Sequence, residues 1–124
     1  MTGNEYQKLA MRTNDRKATL RLDNIIRENK EYDIGGILYA CLGLSGESGE
    51  FTDMIKKWIF HEKELDIYHL KRECGDVLWY IAMLCESFGW NIEEIMQMNI
   101  DKLKVRYPDG FDVNRANNRS KDDI

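Results

Sequence analysis

Proline is nearly absent: the chain has one in 124 residues, at position 108. Long helices are therefore permitted over most of its length. Cysteine is sparse and unpatterned. The three at 41, 74 and 85 form no CxxC motif and cannot all pair, so the expectation is reduced, buried thiols in a cytoplasmic protein. No apolar run approaches the ~18 residues that a membrane span needs, and the N-terminus lacks a basic-then-apolar signal pattern. Basic excess is also missing. The net charge is −4 and the pI about 5.2, which argues against generic nucleic-acid binding, because counterion release needs a basic surface. An acidic chain still reaches anionic substrates when a divalent cation stands between them. Strand-period alternation, internal repeats and low-complexity segments are absent as well.

What remains is helical patterning. Residues 4–13 read as a short helix with Tyr6, Leu9, Ala10 and Thr13 on one side. Residues 14–32 are highly charged, with a helix or an ordered loop around Thr19–Asn29. From Ile34 to about Phe60, apolar residues recur at three- and four-residue steps, as in an amphipathic helix. The polar run His61–Glu64 interrupts this pattern. A second long helix is expected from Asp66, a suitable N-cap, to Phe88, with Gly89 as its stop. Asn91 and Glu94 resemble a capping box that opens a last helix to about Arg106, and Pro108-Asp109-Gly110 ends it. The expected fold is an all-α antiparallel helix bundle of three long helices, completed by homo-oligomerisation. Residues 1–112 form the domain, and 113–124 a polar C-terminal tail that is loose at its end.

Two short motifs carry the chemistry. Glu47-Ser48-Gly49-Glu50 and Glu73-Cys74-Gly75-Asp76 each place two carboxylates three residues apart, on one face of a helix. The midpoint of 50 and 73 is 61.5, as is that of 47 and 76, and it falls in the polar run. An evenly folded antiparallel hairpin would set Glu50 opposite Glu73 and Glu47 opposite Asp76. Glu47 shares a stripe with Leu44, Phe51, Met54 and Trp58, and Glu73 shares one with Leu70, Val77, Tyr80 and Leu84. The acids therefore face the bundle interior, where four crowded carboxylates repel each other or take up protons. A bound hard cation, Mg²⁺ or Mn²⁺, removes that difficulty. A lone ExxE is more often a solvated surface pair; the stripe positions and the mirrored spacing set this one apart. Gly43, Gly46, Gly49 and Gly75 leave the wall beside the carboxylates thin, or else allow close helix packing.

At these residues the sequence resembles the MazG-like nucleotide pyrophosphohydrolases of the all-α NTP pyrophosphatase superfamily. The similarity lies in GLSGESGEFTDMIKKW and LKRECGDVLWYIAMLC around the two acidic motifs, and in EYQKLAMRT and NIDKLKVRYPDGF near the ends. It covers about residues 4–112. The resemblance implies Mg²⁺-dependent hydrolysis of (deoxy)nucleoside triphosphates between the α and β phosphates, giving the monophosphate and pyrophosphate and removing non-canonical nucleotides. It implies metal ligation by Glu47, Glu50, Glu73 and Asp76, with Glu47 also the candidate for taking the water's proton. Asn99, Lys102 and Arg106 share a face of the last helix and are candidates for phosphate contacts, as is Lys57. Trp58, Phe51 and Tyr80 are candidate walls for the base, and Trp79 and Trp90 carry no functional argument. His61 and His69 are expected in water at the turn. The implied assembly is a homodimer or homotetramer. Other readings are a specialised relative acting on dUTP, dCTP or phosphoribosyl-ATP, and a helical metal- or nucleotide-binding module without turnover.

Overall fold

Two aspartates start the long helices. Asp33 Oδ1 accepts the Gly36 amide at 3.0 Å, and Asp66 Oδ1 accepts the His69 amide at 3.0 Å. Each takes up an amide that a first helical turn leaves without a partner. In the computed structural model, which describes residues 1–124, the secondary structure is helical and contains no strands. The elements are α1 (Gly3–Ala10), continued by a 3₁₀ turn at Met11–Thr13, α2 (Ala18–Glu28), α3 (Ile34–Phe60), α4 (Ile67–Phe88), α5 (Ile92–Arg106) and α6 (Val113–Asn117). The charged segment after α1 thus holds a helix.

α4 stops at Gly89, whose φ of 75° suits glycine, and the Trp90 amide reaches back to the Cys85 carbonyl at 2.8 Å. Asn91 caps α5 as expected, but through the Glu93 amide at 2.9 Å. The return bond from Glu94 is not made, because a capping box requires the cap to bond the third amide rather than the second.

α3 and α4 pack against each other as an antiparallel hairpin, the main interhelical contact of the chain. At the turn, the His61 and Lys63 amides both donate to the Lys57 carbonyl, with Glu62 left-handed at φ 55°. At the far end the Asp33 amide donates to the Ser87 carbonyl at 3.0 Å. Tyr32 meets Phe88 edge-on, and Phe88 stacks on Trp90 with ring centres 4.3 Å apart. The hairpin is therefore fastened at both ends. Between them Gly36 lies against Ser87, and Gly43 against the Tyr80 ring, where a Cβ would come within 2.1 Å of a ring carbon. Both pairs are centred on the same point of the turn as the acidic pairs, so the two helices fold back evenly.

The core is thin. Only Gly36, Ala40, Glu73, Cys85 and Ser87 are buried. Of the three thiols expected to be buried, Cys41 and Cys74 are exposed, because they lie on faces of the hairpin that no other helix covers. α5 makes only marginal contact with the hairpin, and Met96, Met98 and Val105 stand in the open. It is not a packed third member of the bundle within one chain. The accessible surface is 10675 Å², against about 6,900 Å² for a compact monomer of this mass. No helix is long and apolar enough to cross a membrane.

Candidate metal centre

The even register of the hairpin brings acids from both helices together. One carboxylate oxygen each from Glu47, Glu73 and Asp76 lies within 4.8 Å of the others. Glu50 stands one turn closer to the hairpin bend, outside this trio. It lines a cavity of about 390 Å³ with Glu73, Lys57, Lys63 and His69. On the other side of the trio, Glu47 and Asp76 border a shallower groove walled by Tyr39, Trp79 and Tyr80. The acid row is thus flanked by a charged hollow toward the turn and an aromatic groove away from it.

Not all four acids face the interior as expected: Asp76 and Glu50 are exposed, because no further helix covers that side of the hairpin, Glu47 is half-buried, and only Glu73 is buried. Glu73 is only 9% exposed, and both Glu47 Oε2 and Glu73 Oε2 are shut away from solvent with no hydrogen-bond partner. A buried polar atom left unpaired costs roughly 1–3 kcal/mol, and more when charged. A proton or a cation relieves it. Without a cation, contact with the Glu73 carboxyl, then burial, then repulsion from neighbouring acids push Glu47 up to about 7. Glu73 is held below its ordinary value, first by Glu47 and also by His69 and Glu50. Of the two acids, Glu47 is thus the one whose charge the metal-free site disfavours. The donors are all carboxylate oxygens, which suits a hard divalent ion such as Mg²⁺ or Mn²⁺.

Of the other sequence candidates, Lys57 lines the hollow, but its Nζ is 2.7 Å from Asp53 Oδ2. Lys57 first and Lys56 second push Asp53 down to about 2. Asn99, Lys102 and Arg106 border neither depression. Arg106 instead grips Asp123 through Nε at 2.8 Å and Nη2 at 2.5 Å, and Lys102 Nζ donates to the Ile124 carbonyl at 3.2 Å. The end of the tail is thus tied to α5. Tyr80 borders the aromatic groove, whereas Trp58 and Phe51 do not.

Three residues escaped the sequence reading. Tyr39 lies four residues before Gly43 and eight before Glu47, a spacing that marks one helix face. Trp79 joins it in the groove. His69, expected in water, places Nε2 2.8 Å from Glu73 Oε1, and the i,i+4 spacing was the available signal.

The profile of the MazG nucleotide pyrophosphohydrolase domain matches residues 38–111. The chain belongs to the MazG family. The matched segment holds both acidic pairs, the turn between them and α5. The chain is also similar to the Gene 37 protein of Mycobacterium phage L5, being 34% identical over 91 residues, or 69% of this chain and 79% of that protein. No solved structure matches it. The MazG family consists of nucleotide pyrophosphohydrolases that depend on metal, and the acidic trio lies where two helices of the matched segment face each other.

Proposed function

We propose that this chain is a Mg²⁺-dependent nucleoside triphosphate pyrophosphohydrolase, with Mn²⁺ an alternative metal, that releases the monophosphate and pyrophosphate from non-canonical (deoxy)nucleotides. The observation that carries the proposal is the convergence of Glu47, Glu73 and Asp76, with two unpartnered buried oxygens, in a chain of the MazG family. Glu47, Glu73 and Asp76 would hold the metal, and Glu50 would join from the hollow. A bound divalent ion would supply charge neutralisation for the phosphates and a more acidic water. Glu47 is the residue proposed to take the proton of the attacking water at its Oε2. Phosphoryl chemistry of this kind needs positioning and electrostatic stabilisation more than covalent help.

The two flanking depressions support a polarity. With a divalent ion offsetting the carboxylates of the hollow toward the turn, Lys63, and Lys57 on release from Asp53, would meet phosphates there, and Tyr39, Trp79 and Tyr80 offer faces for a base. Asn99, Lys102 and Arg106 would contact phosphate only once α5 is docked in an assembly, and Arg106 must first release Asp123. We place residues 1–112 in the working domain and 113–124 in an accessory tail. The functional unit is proposed to be a homodimer or homotetramer, working on free nucleotides in the cytoplasm without nucleic acid or membrane. Its support is the excess surface: several thousand Å² is what an obligate interface buries.

The test is a panel of normal and modified (d)NTPs with Mg²⁺, measuring pyrophosphate and orthophosphate separately. Pyrophosphate is the expected product. Glu50→Gln and Asp76→Asn should each lower its release ~100–1,000-fold with helicity unchanged. Undiminished activity in both variants would overturn the site.

A further inference from the structure

Glu73 is the most enclosed acid of the centre, and its two oxygens have different fates. Oε1 lies 2.8 Å from His69 Nε2, and Oε2 is buried without a partner. An ionised carboxylate only accepts hydrogen bonds, so Nε2 must carry the ring hydrogen. His69 sits one turn before Glu73 on α4, half exposed, on the wall of the hollow shared with Glu50 and Lys57. Its backbone is fixed as well, because its amide is the one that Asp66 caps.

We propose that His69 is a positioning residue: it holds Glu73 Oε1 and so presents only Oε2 to the divalent cation. This inference rests on the metal reading above. Its first consequence is affinity, since partners that orient metal ligands are worth 10–100-fold in binding. Its second is selectivity. Ca²⁺ readily takes both oxygens of a carboxylate in a loose shell, whereas Mg²⁺ demands a tight octahedron with single-oxygen ligands. With one oxygen occupied, Glu73 disfavours the two-oxygen mode. Glu47 and Asp76 have no such restraint from an imidazole.

The experiment measures binding of Mn²⁺ and Ca²⁺ to nucleotide-free protein, by electron paramagnetic resonance and by competition. Wild type should bind Mn²⁺ more tightly than Ca²⁺. His69→Ala should weaken Mn²⁺ about tenfold, weaken Ca²⁺ less, and so narrow the ratio. His69→Gln, whose amide nitrogen can occupy the donor position, should restore most of the Mn²⁺ affinity. A wild type that binds neither ion would defeat the metal reading itself. A wild type that binds while His69→Ala binds equally well, with the same ratio, would leave His69 an ordinary surface pair and defeat only the present inference. Long-range ¹⁵N–¹H spectra of the wild type give a check that needs no variant to fold. The chain has only two histidines, so a His61 substitution assigns the signals. The Nε2–H tautomer is expected for His69, and the Nδ1–H tautomer would overturn the proposal.

Discussion

Glu47 links the centre to pH. Its acid form persists in the folded, metal-free protein up to about 7, against 4.5 for a free glutamate. Between those values the native state binds a proton that the unfolded chain has released. The contribution to stability is therefore full below 4.5 and is lost as pH rises through about 7. Thermal melts of metal-free protein should show that fall between pH 5 and pH 8, and Glu47→Gln should flatten it. A cation competes with the same proton, so Mn²⁺ affinity should weaken as pH drops below about 7. Calorimetry in two buffers of different ionisation heat should detect proton release at pH 7 and less at pH 8.5. The acidic pairs were legible because spacing of three residues and a common midpoint survive any detail of packing. The hold of His69 on Glu73 was not, because a histidine in a polar turn looks solvated until the burial of its neighbour is known.

Helical glycines on α3 divide into two kinds that composition alone does not distinguish. Gly43 faces the Tyr80 ring with no room for a methyl, whereas Gly46 has nothing within 4 Å. Gly43→Ala should destabilise the chain by ~1–3 kcal/mol through overpacking. Gly46→Ala should stabilise it by up to about 1 kcal/mol through helix propensity. Denaturant titration of both variants checks the pair, and a loss at Gly46 would place that face against a second copy. Glu62 is left-handed at the end of α3, a state that costs a non-glycine residue ~1–2 kcal/mol. Glu62→Gly should raise the melting temperature, less the extra freedom it gives the unfolded chain. Helix starts at Asp66 and Asn91 and the stop at Gly89 could be read from sequence because caps are local. The fastening of Asp123 to Arg106 could not, since it closes a long excursion of chain that carries no periodic pattern.

One chain is an unfinished object at the largest scale. Leu42, Phe60 and Val105 are each at least three-quarters exposed, and a surface so apolar calls for cover. Light scattering should give a dimer or tetramer, and Leu42→Glu should shift it toward monomer with loss of activity. Sequence patterning showed which residues are apolar, but not that the hairpin alone would leave them bare. The paired fastening of that hairpin, by the bend at one end and by Tyr32, Phe88, Trp90 and the Asp33–Ser87 bond at the other, gives it the property of a caliper locked at the hinge and at the tips. The stretch between Phe60 and Ile67 is that hinge, and it carries Lys63 and the Asp66 cap beneath His69, so a loop of another size grafted there should spring the lock at that end and slacken the grip on the ion while the tips stay closed.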